Sequence, residues 1–190
     1  IFLLLVEFLY NKEGFAMKRI IMLLVGVLML ALSAAASANY PMYLNGDRNF
    51  ILCDGHMGTA WYVDASSLNV LRYEPPEYVI AVDVVTARSA VGNEDDFYSG
   101  GSGMVTDVRT MRFLYDWDAC AMYAWNDAEM DWYYLPPGGS WAETGITMPA
   151  GEIAFYLAYR MKFYGSRPQY NEYLRRNVSV FEDVFYARIP

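Results

Sequence analysis

Tyr78 to Ala87 restricts the fold more than any other segment of the chain. Its residues Tyr78, Ile80, Val82 and Val84 point to one side of an extended strand, and Val79, Ala81, Asp83 and Val85 to the other. Both sides are largely apolar, so this strand belongs in the middle of a sheet, with partial cover on each face. Thr110 to Trp117 alternates again, setting Met111, Phe113, Tyr115 and Trp117 against Arg112, Leu114 and Asp116. Shorter strands are expected at Phe50–Cys53, Ala60–Asp64, Ala121–Trp125 and Asp131–Leu135, where aromatic and β-branched residues suit a half-buried pleat. Turn composition at Asp54–Gly58 and Asn126–Glu129 makes hairpins of the flanking pairs. Ser66-Ser67 reads as a strand break and Pro75-Pro76 as a connection. Residues 87–108, with Asn93-Glu94-Asp95-Asp96 and Gly100-Gly101-Ser102-Gly103, read as a mobile acidic loop.

Helical signals follow the strands. Thr147 to Gly165 predicts a helix, with Pro149 in its first turn and Glu152 near the positive end of the dipole. Ile153, Tyr156, Leu157, Met161 and Tyr164 fall at helical spacing, and Ala154 and Ala158 make a small strip for close approach to a sheet. Pro168 to Arg176 predicts a further short helix, and Ser179 with Glu182 has capping-box spacing for a last one towards Arg188. Strands first and helices last give an α+β domain: an antiparallel β-sheet of five to six strands, covered on one face by C-terminal helices.

The domain is expected to occupy only residues 39–190. Lys18-Arg19, the apolar run Ile20–Leu32 and Ala36-Ser37-Ala38 have the three parts of a secretory signal peptide over residues 17–38, with cleavage between Ala38 and Asn39. Residues 1–16 read as an upstream segment outside the translated product, because Lys12-Glu13-Gly14 before Met17 can be encoded by a purine-rich ribosome-binding stretch. The leader implies bacterial export, to the periplasm or cell surface, without stable membrane insertion after cleavage. Two of the 22 acids and three of the 14 bases lie in residues 1–38, leaving 20 against 11 in the body. That acidity argues against nucleic acid as a partner. Cys53 and Cys120 are an even pair in an exported domain, open to a disulfide or to two buried thiols.

The run Trp61-Tyr62-Val63-Asp64-Ala65-Ser66-Ser67-Leu68, the strand Tyr78–Ala87, and the pair Phe113-Leu114-Tyr115 and Met122-Tyr123-Ala124 resemble small exported bacterial proteins of the surface-adhesin protein E type. Gly151 to Tyr159 would correspond to the packed helix of such proteins. The resemblance spans residues 58–164 and implies a meander of antiparallel strands, an envelope address and an adhesive role. The acidic loop and the extra C-terminal helices depart from it.

Catalytic patterns are thin. His56 is the sole histidine, which excludes a metal site built on several imidazoles, and it reads as an exposed turn residue. Asp127, Glu129 and Asp131 alternate through a turn but lack the glycine and distant glutamate of the twelve-residue calcium loop, so they read as a solvated hairpin tip. No cofactor is implied. The chain is therefore expected to act by binding a protein or glycan at the cell envelope rather than by catalysis. An envelope hydrolase working on glycans through carboxylates, and a structural envelope component, stand as alternatives. The recognition face is expected on the sheet side away from the helix, at Asp83, Arg112 and Asp116, with an ordinary Asp83–Arg112 ion pair as the plainer outcome.

Overall fold

The computed structural model describes residues 40–171 and 174–190; the expected leader at 17–38, residues 1–16 and the Ala38–Asn39 junction lie outside the described residues. Six strands form one antiparallel sheet in sequence order: β1 (Phe50–His56), β2 (Thr59–Glu74), β3 (Glu77–Ser89), β4 (Gly103–Asp116), β5 (Ala121–Asn126) and β6 (Asp131–Leu135). The α+β expectation holds. Met57 and Gly58, both at positive φ, join β1 to β2 in the two-residue turn that matches strand twist.

Two of the connecting segments are more regular than their composition suggests. β2 runs straight past Ser66-Ser67, because a bulge between Asp64 and Asn69 absorbs them. Ser67 Oγ donates to the Asp64 carbonyl and accepts the Asp83 N–H, satisfying backbone groups that the bulge would otherwise leave open. The expected acidic loop contracts as well. β3 continues to Ser89, β4 starts at Gly103, and helix α1 (Glu94–Tyr98) lies between them. Phe97 is fully buried, which ties that connection to the body of the protein.

Strand register sorts the side chains onto two faces. The first carries Ile51, Val63, Ile80, Val82, Val84, Phe113, Tyr115, Met122 and Ala124, all buried. Helix α3 (Thr147–Tyr159), preceded by the short α2 (Trp141–Thr144), closes this face. The contact needs small residues on the helix. A Cβ at Gly151 would stand 2.5 Å from Met122 Sδ and 2.9 Å from Phe113 Cδ1, so the helix can sit this close only with glycine there. Ile153 and Ala154 are fully buried, as the helical stripe requires, whereas Leu157 is half-buried. The row Phe113, Tyr115, Trp117 lies under the helix, and Trp117 stacks on Phe155 with ring centres 5.8 Å apart.

The C-terminal helices differ from expectation. Helix α3 ends at Arg160, itself left-handed at φ 55°, and not at Gly165, because the chain must turn back to bury Phe163 and Tyr164. The helix expected at 168–176 is instead a hairpin of β7 (Gln169–Asn171) and β8 (Arg176–Val178), and Arg175 at φ 51° is incompatible with a helical turn. The last helix, α4, spans Asp183–Ala187 with Glu182 at its N-cap, so Ser179 lies too early to cap it. Ser140 and Glu143 form the capping box instead, at the start of α2.

Glu152 is the buried polar centre of this half. It is fully enclosed and accepts hydrogen bonds from the N–H groups of Phe163 (2.8 Å), Tyr164 (2.9 Å) and Gly165 (3.4 Å) and from the Tyr186 hydroxyl (2.6 Å). Burial pushes its carboxyl above the usual range, and these four donors hold the rise back.

Candidate functional site

The second face of the sheet has two ends. At one, Tyr40, Leu44 and Phe97 cover Ala60, Tyr62, Val85 and Ala87 in a small separate core. At the other, over β4, β5 and β6, register places Arg112 and Leu114 beside Tyr123 and Trp125, which pair in turn with Tyr134 and Trp132. These six side chains are half-buried or exposed. Trp125 meets Trp132 edge-on at 5.2 Å, and Tyr123 meets Tyr134 at 5.5 Å. The Arg112 guanidinium lies 5.1 Å from the Trp125 ring centre and donates to Asp127 Oδ1 at 2.6 Å. The result is a ledge of flat apolar rings with a fixed cation and a carboxylate at one end. Trp125 Nε1 is enclosed and faces no protein acceptor.

The residues singled out from sequence all project from this face, since Asp83 pairs with Thr110, Ala81 with Arg112 and Glu77 with Asp116. They do not form one cluster. Asp83 accepts from Thr110 Oγ1 at 2.6 Å and lies across from Asp64 on β2. Asp116 accepts the Ala119 N–H at 2.9 Å and so shapes the β4–β5 turn. Only Arg112 belongs to the ledge. The expected Asp83–Arg112 ion pair is replaced by two separate pairings, because Asp83 accepts from Thr110 directly across on β4 and Arg112 turns outward to Asp127 in the β5–β6 turn. Tyr123, Trp125, Trp132 and Tyr134 were missed, although the turn at residues 126–131 fixes their register and could have found them.

No family model, curated protein or solved structure matches this chain.

The other chemically suggestive residues are structurally occupied. Cys53 and Cys120 are free thiols. Burial pushes Cys53 up to about 12, which keeps it protonated and inert. Cys120, in the β4–β5 turn, accepts a hydrogen bond from Gln169 Nε2. Asp54 accepts from Trp141 Nε1 at 2.9 Å, and His56 is exposed with its ring 5.4 Å from that of Trp141. A hollow of about 380 Å³ opens between the β1–β2 turn and α1, lined by Met57, Thr59, Arg88, Glu94, Met104 and Thr106. It gathers one cation, one acid and two methionines, without a nucleophile held by a base. Among the described residues, no helix is long and apolar enough to cross a membrane.

Proposed function

We propose that the chain is an exported, non-catalytic binding protein of the bacterial cell envelope or surface, and that it holds a protein or glycan partner on the ledge of Arg112, Tyr123, Trp125, Trp132 and Tyr134. The observation that carries this reading is the coincidence of an aromatic row and a cation over Trp125 on the end of the second face that no helix covers. Aromatic and arginine side chains supply most of the binding energy at recognition surfaces, because they bury large area at small entropic cost. The leader at 17–38 and the resemblance to exported adhesins support the address. The hydrolase alternative draws nothing from Glu152, whose carboxyl accepts four internal donors and is shut off from solvent.

Binding to immobilised envelope proteins and to a glycan array tests the reading. Trp125→Ala and Arg112→Ala are each expected to weaken capture at least about tenfold while lowering the melting temperature by no more than about 6 °C. Full affinity in both variants rejects the ledge, and turnover of a captured glycan rejects the non-catalytic reading. Intact-mass analysis of protein from its native host tests the address. A product starting at Asn39 supports export with cleavage, and retention of residues 17–38 opposes it.

A further inference from the structure

β4 is longer than its outer neighbour. It extends from Gly103 to Asp116, yet β5 pairs only with Phe113 to Asp116. Met104 to Thr110 are exposed, so one side of this stretch offers backbone N–H and C=O groups to solvent. Proteins commonly blunt such an edge, since it is a template for another strand. Here the blunting is partial: a bulge at Thr106 interrupts the ladder, and Asp107 and Arg109 add charges. Val108, between them, is 56% exposed.

We infer that this edge pairs with the same edge of a second copy, antiparallel about Val108, joining two sheets across a two-fold axis. The charges select that occupant and that register. In a symmetric antiparallel pair the same backbone groups must face outward in both copies, so partner numbers differ by an even step and the axis passes through a residue. An axis through Asp107 sets aspartate against aspartate, and an axis through Arg109 sets arginine against arginine. An axis through Val108 sets Asp107 opposite the second copy's Arg109, and Arg109 opposite its Asp107, with the valines meeting in the centre. Opposite charges directly across a ladder stabilise it, and like charges there are destabilising. Among the described residues neither Asp107 nor Arg109 has an ion-pair partner within its own chain, so both are available to a second copy. The ladder is short. The Thr106 bulge bounds it on one side and the Arg112–Asp127 bridge beside β5 on the other, so the association is weak, with a dissociation constant of roughly 10–1000 µM.

Sedimentation equilibrium of the purified protein up to about 1 mM tests this. The wild type is expected to form dimers and nothing larger, because the symmetry closes on itself. Asp107→Arg and Arg109→Asp each place like charges across the ladder and are expected to raise the dissociation constant at least about tenfold. The double variant Asp107→Arg/Arg109→Asp restores opposite pairs and is expected to return to within about threefold of wild type. A Val108→Cys variant, in a Cys120→Ser background, is expected to cross-link to itself under mild oxidation, since only this axis brings the two side chains together. A protein monomeric to the top concentration, single variants that still associate, or a double variant that does not recover would each overturn the inference.

Discussion

The two faces of this sheet are built from the same strands and meet different fates. On the first face Ile80, Val82, Phe113 and Tyr115 are closed over by α3, and even a Cβ at residue 151 would not fit. On the second, the chain returns to cover only one end, with Tyr40, Leu44 and Phe97, and leaves the rings over β5 and β6 half open. Hydrophobic alternation alone cannot distinguish the two, because both faces carry aromatic residues at a spacing of two. What differs is whether a later segment of the chain is shaped to lie against them. The covered face holds the fold together, whereas the open part of the other contributes little stability and keeps large rings available.

That contrast can be broken by measurement, most sharply at Phe113. Phe113→Ala removes a fully buried ring beneath the helix and is expected to cost about 3–5 kcal/mol in reversible urea melts. A loss under about 1 kcal/mol would place the helix away from this face.

Glu152 is the next test. Glu152→Gln exchanges an oxygen for an amide that cannot accept from the Phe163–Gly165 turn, for an expected loss of about 2–3 kcal/mol. The pH dependence carries its own sign. Burial holds this carboxyl above its ordinary value of 4.5, so the folded chain retains a proton that the unfolded chain releases. Its contribution to stability is therefore complete below about 4.5 and fades as pH rises through the folded value. The gap in urea midpoint between wild type and the Gln variant is expected to narrow over that rise. Parallel pH profiles would show a solvated Glu152.

Sequence legibility follows the same divide. Tyr78–Ala87 and Thr110–Trp117 were readable because two-residue alternation survives in long central strands. Ser66-Ser67 misled because composition signals a turn, while the local partners of the Ser67 hydroxyl turned the site into a bulge. Glu152 looked like a helix-dipole acid because its four donors come from residues 163–165 and 186, none of which sequence spacing connects to it. On the candidate site, Arg112 is legible from strand parity, whereas the rings beside it are not, because strands as short as β5 and β6 acquire a face only through the hairpin register that pairs them.

The smallest expected effect belongs to the open face. Trp125→Ala is expected to cost only about 0.5–1.5 kcal/mol, from the lost edge-on contact with Trp132 and the lost cation–π contact with Arg112. A double-mutant cycle with Arg112→Ala should assign part of that loss to the pair. A loss rivalling that of Phe113→Ala would mean that the ledge is core and would end the comparison.

The turn held by Glu152 also alters where backbone amides should resist isotope exchange with solvent. Phe163, Tyr164 and Gly165 lie outside every long helix and strand, yet their protons point at a carboxylate sealed beneath two buried rings and Tyr186. Releasing any one of them requires the C-terminal segment to lift as a unit, so all three should exchange at the rate of global opening. The outward amides of Asp107 to Thr110, in a regular strand, should exchange far sooner in the monomer. Persistence in this chain is decided by what encloses a hydrogen bond more than by the element that contains it.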